Sequence, residues 1–173
     1  MERMRTSERP LPAPFRVCFV CTGNICRSPM AEAVLRARVA EAGLDGEIEV
    51  DSAGTDGWHV GEATDPRAAA VLTEHGYELA HTARQFTPDW FAERDLVLGL
   101  DSGHVRRLLK IAPTPADAEK VRLLLSFAPD LDLTDVEDPY YGGTRGFEEA
   151  LDLIETAAEG LLQAVRDELT ARP

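Results

Sequence analysis

The segment Cys21-Thr22-Gly23-Asn24-Ile25-Cys26-Arg27 puts a thiol and a guanidinium at the two ends of a Gly-bearing loop, and Ser28-Pro29 follows as a helix start. A loop of this kind, running into a helix N-terminus, turns several backbone N–H groups toward one concavity that suits an oxyanion. Arg27 closes it with a planar fork matched to two phosphate oxygens. Cys21 opens it, so its sulfur lies in the positive field of the amides and of Arg27. Such surroundings favour the thiolate, the nucleophilic form. A thiolate beneath a cradled phosphate is set for in-line attack at phosphorus.

Other chemistries fit these residues less well. A nucleoside-triphosphate loop needs G-x4-G-K-[ST], and the only lysines are Lys110 and Lys120. Zinc could draw on Cys18, Cys21 and Cys26, but these are three ligands with no histidine near them in sequence, where structural sites use four. Cys18 lies within an apolar run and reads as core. Cys26 has two readings: packing, or a disulfide partner that protects oxidised Cys21.

The elements that must position this loop follow from patterning. Phe15 to Val20 reads as a buried strand. Ser28 suits an N-cap and Pro29 the first helical position. Ala31, Val34, Leu35, Val39 and Ala42 then share a face, with Glu32, Arg36 and Glu41 off it, as far as Gly43. Further strands are expected over 47–50, 96–100 and 121–125. Helices are expected over 66–74 and 101–111, the latter with a basic face, a helical turn over 90–93, and a long closing helix over 147–169. Residues 51–65 and the acidic stretch 130–143 read as loops. Strands alternating with helices argue for an α/β fold, a single domain over 15–170 with an open parallel sheet and right-handed crossovers. In such sheets ligands bind at the carboxyl ends of the strands, where the Cys21–Ser28 loop falls.

Composition narrows the partners. In 173 residues, 18 basic against 31 acidic side chains give a net charge of −13. That opposes a general nucleic-acid binder and an anionic-membrane binder. Residues 113–173 hold 14 acids against 5 bases, so −9 of the charge lies there. This acidic third favours phosphopeptides with basic flanks. No run of 18 apolar residues predicts a membrane span. Residues 1–14, Arg- and Pro-bearing without a continuous apolar stretch, read as a flexible extension and not as a secretory signal. Three clustered cysteines do not make a secreted disulfide framework, so a cytoplasmic, reduced monomer is the expectation.

Val20 to Pro29 resembles the active-site loop of the low-molecular-weight protein tyrosine phosphatases. Asp51-Ser52-Ala53-Gly54-Thr55, Trp58, Ala80-His81-Thr82-Ala83-Arg84-Gln85, Asp101 and Asp138-Pro139-Tyr140-Tyr141 agree in order. The resemblance covers residues 15 to 168, and departs from the family pattern at Val105. It implies a four-stranded parallel sheet, a cysteinyl-phosphate intermediate, and neither metal nor cofactor. By that resemblance Cys21 is the nucleophile and Arg27 the phosphate clamp, while Asp138 protonates the leaving phenolate and later activates water. Thr22, Gly23, Asn24, Ile25, Cys26 and Ser28 bind phosphate, with Ser28 also donating to the departing sulfur. Ser52 and His81 support the loop, and Trp58 and Tyr140 wall the slot for the substrate ring. The implied partners are phosphotyrosine proteins, a cognate tyrosine kinase or its substrates among them.

Three rival functions share parts of this pattern. An arsenate reductase of the same fold uses a relay of downstream thiols, and no cysteine follows Cys26. Arginine phosphatases of the family look to carry Thr where Ile25 stands, so Ile25 favours an aromatic ester. A non-catalytic phosphate-binding docking module would not need all three chemical roles filled, as they are here.

Overall fold

The computed structural model describes residues 13–141 and 143–172. Its first strand, β1 (Phe15–Cys21), alternates its side chains between the two faces of the sheet. Val17, Phe19 and Cys21 enter the larger core, and Cys18 and Val20 the smaller one opposite. Cys18 and Cys21, three residues apart, therefore face opposite ways. Burial pushes the Cys18 thiol well above its ordinary pKa, as befits a core residue.

β1 pairs in parallel with β2 (Ile48–Gly54) on one side and β3 (Leu96–Gly99) on the other, and β4 (Val121–Leu123) extends the sheet in the order β2-β1-β3-β4. Parallel neighbours need crossover segments that cover the faces. These are α1 (Arg27–Glu41) before β2, α2 (Pro66–Glu74) and a 3-10 turn (Pro88–Glu93) before β3, and α3 (Ser102–Ile111) with α4 (Pro115–Glu119) before β4. The closing helix α5 (Gly143–Ala171) packs on α1 and α2 over the larger core. Met30, Leu35, Phe147, Leu151 and Ile154 are fully buried there. Truncating any of the last three to Ala is expected to cost about 2–5 kcal/mol. Phe86, Phe91 and Leu108 fill the opposite core.

From β1 the chain moves to β2 on one side and later to β3 on the other. The crevice where the order diverges lies at the carboxyl end of β1. Cys21, the last residue of that strand, opens onto it.

Several boundaries differ from those read in the sequence. β2 continues to Gly54, because the register pairs Cys21 with Gly54 and so holds the sheet together up to the loop. The first helix starts at Arg27 with Cys26 in the cap position and no side-chain cap bond. Ser28 is thus not an N-cap; its hydroxyl turns toward Cys21 instead. Helix α4, unforeseen, is capped by Thr114, whose hydroxyl accepts the Asp117 N–H at 3.1 Å. Helix α5 begins at Gly143, four residues before its first buried aromatic, Phe147. Glu32, placed by periodicity on the polar side of α1, is only 3% exposed. Because the Cys21–Arg27 loop and β2 surround the first turns of α1, that side too is interior. Of the extension expected over residues 1–14, residues 1–12 lie outside the described residues. Among the described residues no helix is long and apolar enough to cross a membrane.

Candidate active site

The floor of the site is a chain of hydrogen bonds, each with a definite donor and acceptor. Asn24 takes the left-handed conformation, with φ of 58°, which turns its side chain inward beneath the loop. Its amide N–H groups donate to Ser28 Oγ at 2.8 Å and to Ser52 Oγ at 3.0 Å, and its carbonyl oxygen accepts the Arg84 N–H at 2.9 Å. The Ser52 hydroxyl donates in turn to Glu32 at 2.6 Å, and Glu32 is paired with Arg36 at 2.7 Å. Since Ser28 Oγ already accepts from Asn24, its proton is free for Cys21 Sγ, 3.0 Å away. The backbone carbonyl of Asn24 accepts from His81 Nε2 at 2.7 Å, which fixes the proton on that nitrogen. Asn24, Ser28 and Ser52 are entirely buried. Each polar atom named here has a partner, as burial requires.

Gly54 makes room for this loop. A Cβ there would lie 2.6 Å from the Thr22 carbonyl oxygen and 3.1 Å from the Asn24 nitrogen, both backbone atoms.

Arg27 is held from behind. Its Nη1 donates to Asp101 Oδ2 at 2.9 Å and to the Val136 carbonyl at 2.8 Å. Asp101 also caps α3, accepting the His104 N–H at 3.0 Å, while the Asp101 N–H donates to His104 Nδ1 at 3.1 Å. Nδ1 is therefore an acceptor, so Nε2 carries the proton and donates to Thr22 Oγ1 at 3.0 Å. Burial, reinforced by the Arg27 cation, pushes the His104 pKa down to about 4 and keeps the ring neutral. Burial also works against the ionised Asp101 carboxyl, but His104 and Arg27 outweigh it and hold that group below the usual carboxylate range.

Above this floor opens a cleft of about 220 Å³, lined by the Cys21–Arg27 loop and by Trp58, His59, Asp138, Tyr140 and Tyr141. Asp138 Oδ2 lies 3.8 Å from Arg27 Nη2, and Asp138 Oδ1 accepts the Tyr140 N–H at 3.0 Å, so the carboxylate is turned over the guanidinium. Arg67 ties this loop to α2. It donates to the Tyr140 carbonyl at 2.7 Å, lies over the Tyr140 and Phe147 rings, and grips Asp65. The Asp65 N–H in turn donates to the Ile25 carbonyl at 2.8 Å. Asp65 and Arg67 thus join the Cys21–Arg27 loop to the Asp138 loop. Cys26 is buried between them. Burial, with Asp65 next in effect, pushes its thiol up to about 12, so it is uncharged at neutral pH.

Every site residue singled out in the sequence falls at this one end of the sheet. Cys21, Thr22, Gly23, Ile25, Cys26, Arg27, Trp58, Asp138 and Tyr140 line the cleft; Asn24, Ser28, Ser52 and His81 lie behind it. Sequence reasoning missed Glu32, Arg67 and His104. The spacing of Glu32 and Arg36 at i and i+4 hinted at an ion pair but not at its burial. Nothing local marked His104 as the partner of Thr22. Among the described residues no cluster of three or more His, Cys, Asp or Glu side chains could hold a metal ion.

Known proteins resemble this chain in sequence and in fold. A low molecular weight protein-tyrosine-phosphatase of Streptomyces coelicolor is 62% identical over 161 residues, covering 91% of this chain and 98% of the relative. The crystal structure of YfkJ from Bacillus subtilis superposes with a TM-score of 0.86 at 38% identity, over 91% of this chain and 98% of that one. A Drosophila arginine phosphatase superposes with a TM-score of 0.81 at 35% identity, over 86% and 96% of the two chains. The model of the low molecular weight phosphotyrosine protein phosphatases matches residues 16–171, and the chain belongs to that family.

Proposed function

We propose that this chain hydrolyses phosphotyrosine in proteins, and small aryl phosphates, through a cysteinyl-phosphate intermediate. The observation that carries this reading is the pair of Cys21 and Arg27 at one buried loop, with Asp138 3.8 Å from the clamp. In the first step the Cys21 thiolate attacks phosphorus and the P–O bond to the ring breaks. Asp138 delivers a proton to the departing phenolate, a contribution of about 100- to 10,000-fold in such reactions. Loop amides and Arg27 hold the equatorial oxygens as their charge develops. In the second step Asp138 takes a proton from water, the water oxygen attacks phosphorus, and the P–S bond breaks. The departing thiolate is met by the Ser28 hydroxyl, whose proton Asn24 has already turned toward it.

The side walls support an aromatic ester. Ile25, Trp58 and Tyr140 present apolar surface to a flat ring, and Ile25 offers no hydroxyl to a guanidinium. The working partners are phosphotyrosine proteins, with a tyrosine kinase or its substrates as the specific ones. The enzyme works as a monomer in the cytoplasm, where the three cysteines, all free, stay reduced.

The test is hydrolysis of para-nitrophenyl phosphate by wild type and Cys21→Ser, in buffer with chelator and reductant. Vanadate-sensitive turnover by wild type alone is expected; an inactive wild type sinks the reading. A panel of phosphotyrosine, phosphoserine and phosphoarginine peptides then decides the substrate class, with phosphotyrosine expected to lead.

A further inference from the structure

Helix α3 carries a basic stripe that the catalytic cleft does not use. Gly103, Arg106, Arg107 and Lys110 stand at i, i+3, i+4 and i+7 and so share one face. They line a second cavity of about 350 Å³, whose inner wall is Thr22, Thr55, Asp101 and His104. Thr22 belongs to both cavities, so the second opens beside the phosphate loop.

The charges around it leave a net positive field. Asp101 is the one carboxylate in the lining and is paired with Arg27 at 2.9 Å. Asp56, paired with Arg107 at 2.7 Å, and Asp135, which accepts the Ser102 N–H at 2.9 Å, stand nearby and are outnumbered by Arg106, Arg107, Lys110 and Arg27. Arg106 and Lys110 are exposed, and among the described residues neither has an ion-pair partner. Arg106 folds back along the helix toward the loop. Its Nη2 lies within 3.7 Å of where a Cβ on Gly103 would stand, one turn nearer the start of the helix. From Gly103 to Lys110 the stripe runs about 10 Å along the helix axis. That is the reach of about three extended residues of substrate.

We propose that this stripe is a substrate subsite for carboxylate side chains within about three residues of the phosphotyrosine. The proposal rests on the phosphatase reading and adds the flanking chemistry. It reverses the expectation from net charge, which favoured basic flanks. The acidic third surrounds Asp138 on one side of the cleft, whereas the side next to Thr22 is cationic. Net charge averages over a surface that the substrate meets locally, within a screening length of about 8 Å at physiological salt.

The experiment compares kcat/KM for three phosphotyrosine peptides, with Glu, Ala or Lys at the flanking positions, at low salt and in 0.5 M NaCl on the order of physiological salt several times over. Wild type is expected to prefer the Glu peptide over the Ala peptide by about fivefold at low salt, shrinking at high salt. Arg106→Glu with Lys110→Glu is expected to reverse the order, and Arg106→Gln alone to halve the preference. Both are checked for folding by circular dichroism and for turnover of para-nitrophenyl phosphate, which is too small to reach the stripe. Normal turnover of that ester with no effect of peptide charge overturns the subsite alone. A Glu preference that survives the charge reversal also overturns it. Loss of para-nitrophenyl phosphate turnover in wild type would instead overturn the phosphatase reading beneath it.

Discussion

The floor and the rim of the cleft are built by opposite means. The floor is a closed set of buried donors and acceptors running from Glu32 through Ser52 and Asn24 to Ser28 and Cys21. Each group has a definite proton direction, and none can move without orphaning another. The rim consists of side chains held by few contacts: Trp58 is 80% exposed, Tyr141 91%, and the Asp138 side chain 50%. A reaction shared by every phosphate monoester needs the fixed part, and recognition of a particular ester is left to the adaptable part. Asp138 crosses this division, because the proton donor proposed here sits on an exposed loop. Arg67 resolves the difficulty by tethering that loop at Tyr140.

Asp138→Asn tests the crossing point and carries the largest expected effect. It should lower kcat on aryl phosphates by about 100- to 10,000-fold while vanadate still binds. The loss should grow as the leaving phenol becomes more basic, which steady-state kinetics on a series of substituted phenyl phosphates would read. An equal loss for good and poor leaving groups would place the proton donor elsewhere. Loosening the tether is milder: Arg67→Met should lower kcat by about tenfold or less, with the same leaving-group trend in weaker form.

Asn24→Ala removes the hub of the floor. It leaves Ser28 and Ser52 without their donor and the Arg84 N–H without its acceptor, and puts a Cβ-bearing residue without a side-chain amide at positive φ. A loss of about 2–4 kcal/mol in urea unfolding is expected, with kcat/KM reduced for every ester alike. If only peptide substrates suffered, the division between floor and rim would fail.

His104 gives the floor a pH dependence. Its pKa falls from an ordinary 6.5 to about 4 in the fold, through burial first and then Arg27, against the opposing pull of Asp101, Asp138 and Asp135. Between those values the unfolded chain binds more protons than the folded one, so stability declines as pH falls from about 6.5 to 4. The full loss is about 3 kcal/mol. Asp101, held below its usual range, adds its own loss only at still lower pH. Urea unfolding at pH 7 and 4.5 should show the decline in wild type and a shallower one in His104→Gln. Equal slopes would remove His104 as its source.

These contrasts also explain what could be read in advance. The Cys21–Arg27 loop, its strand and its helix were legible because an apolar run, a Gly-bearing loop and Pro29 are contiguous. The opposite orientations of Cys18 and Cys21 follow from strand alternation alone. Resemblance to a family supplied Ser52, His81, Trp58 and Asp138, whose distance from Cys21 in the chain hides their proximity. Glu32 and His104 escaped both routes. Periodicity assigns Glu32 to a polar face, and only the packing of the loop over α1 makes that face interior. The bond from His104 to Thr22 depends on where the N-terminus of α3 comes to rest, which is fixed by β3 lying beside β1.

Trp58 probes the rim where it is least supported, and the smallest effect is expected there. Its side chain sits in the Gly57–Gly61 stretch and lines the cleft without being packed into either core. Trp58→Ala should therefore change stability by no more than about 0.5 kcal/mol. Its consequence should be confined to KM, raised several-fold for phosphotyrosine peptides whose ring loses one wall. Turnover at saturation should hold, because the phosphate still rests on an intact floor. A fall in kcat equal to the rise in KM would mean that the indole helps align the ring oxygen with Asp138, and that the rim takes part in the chemistry beyond Asp138 itself.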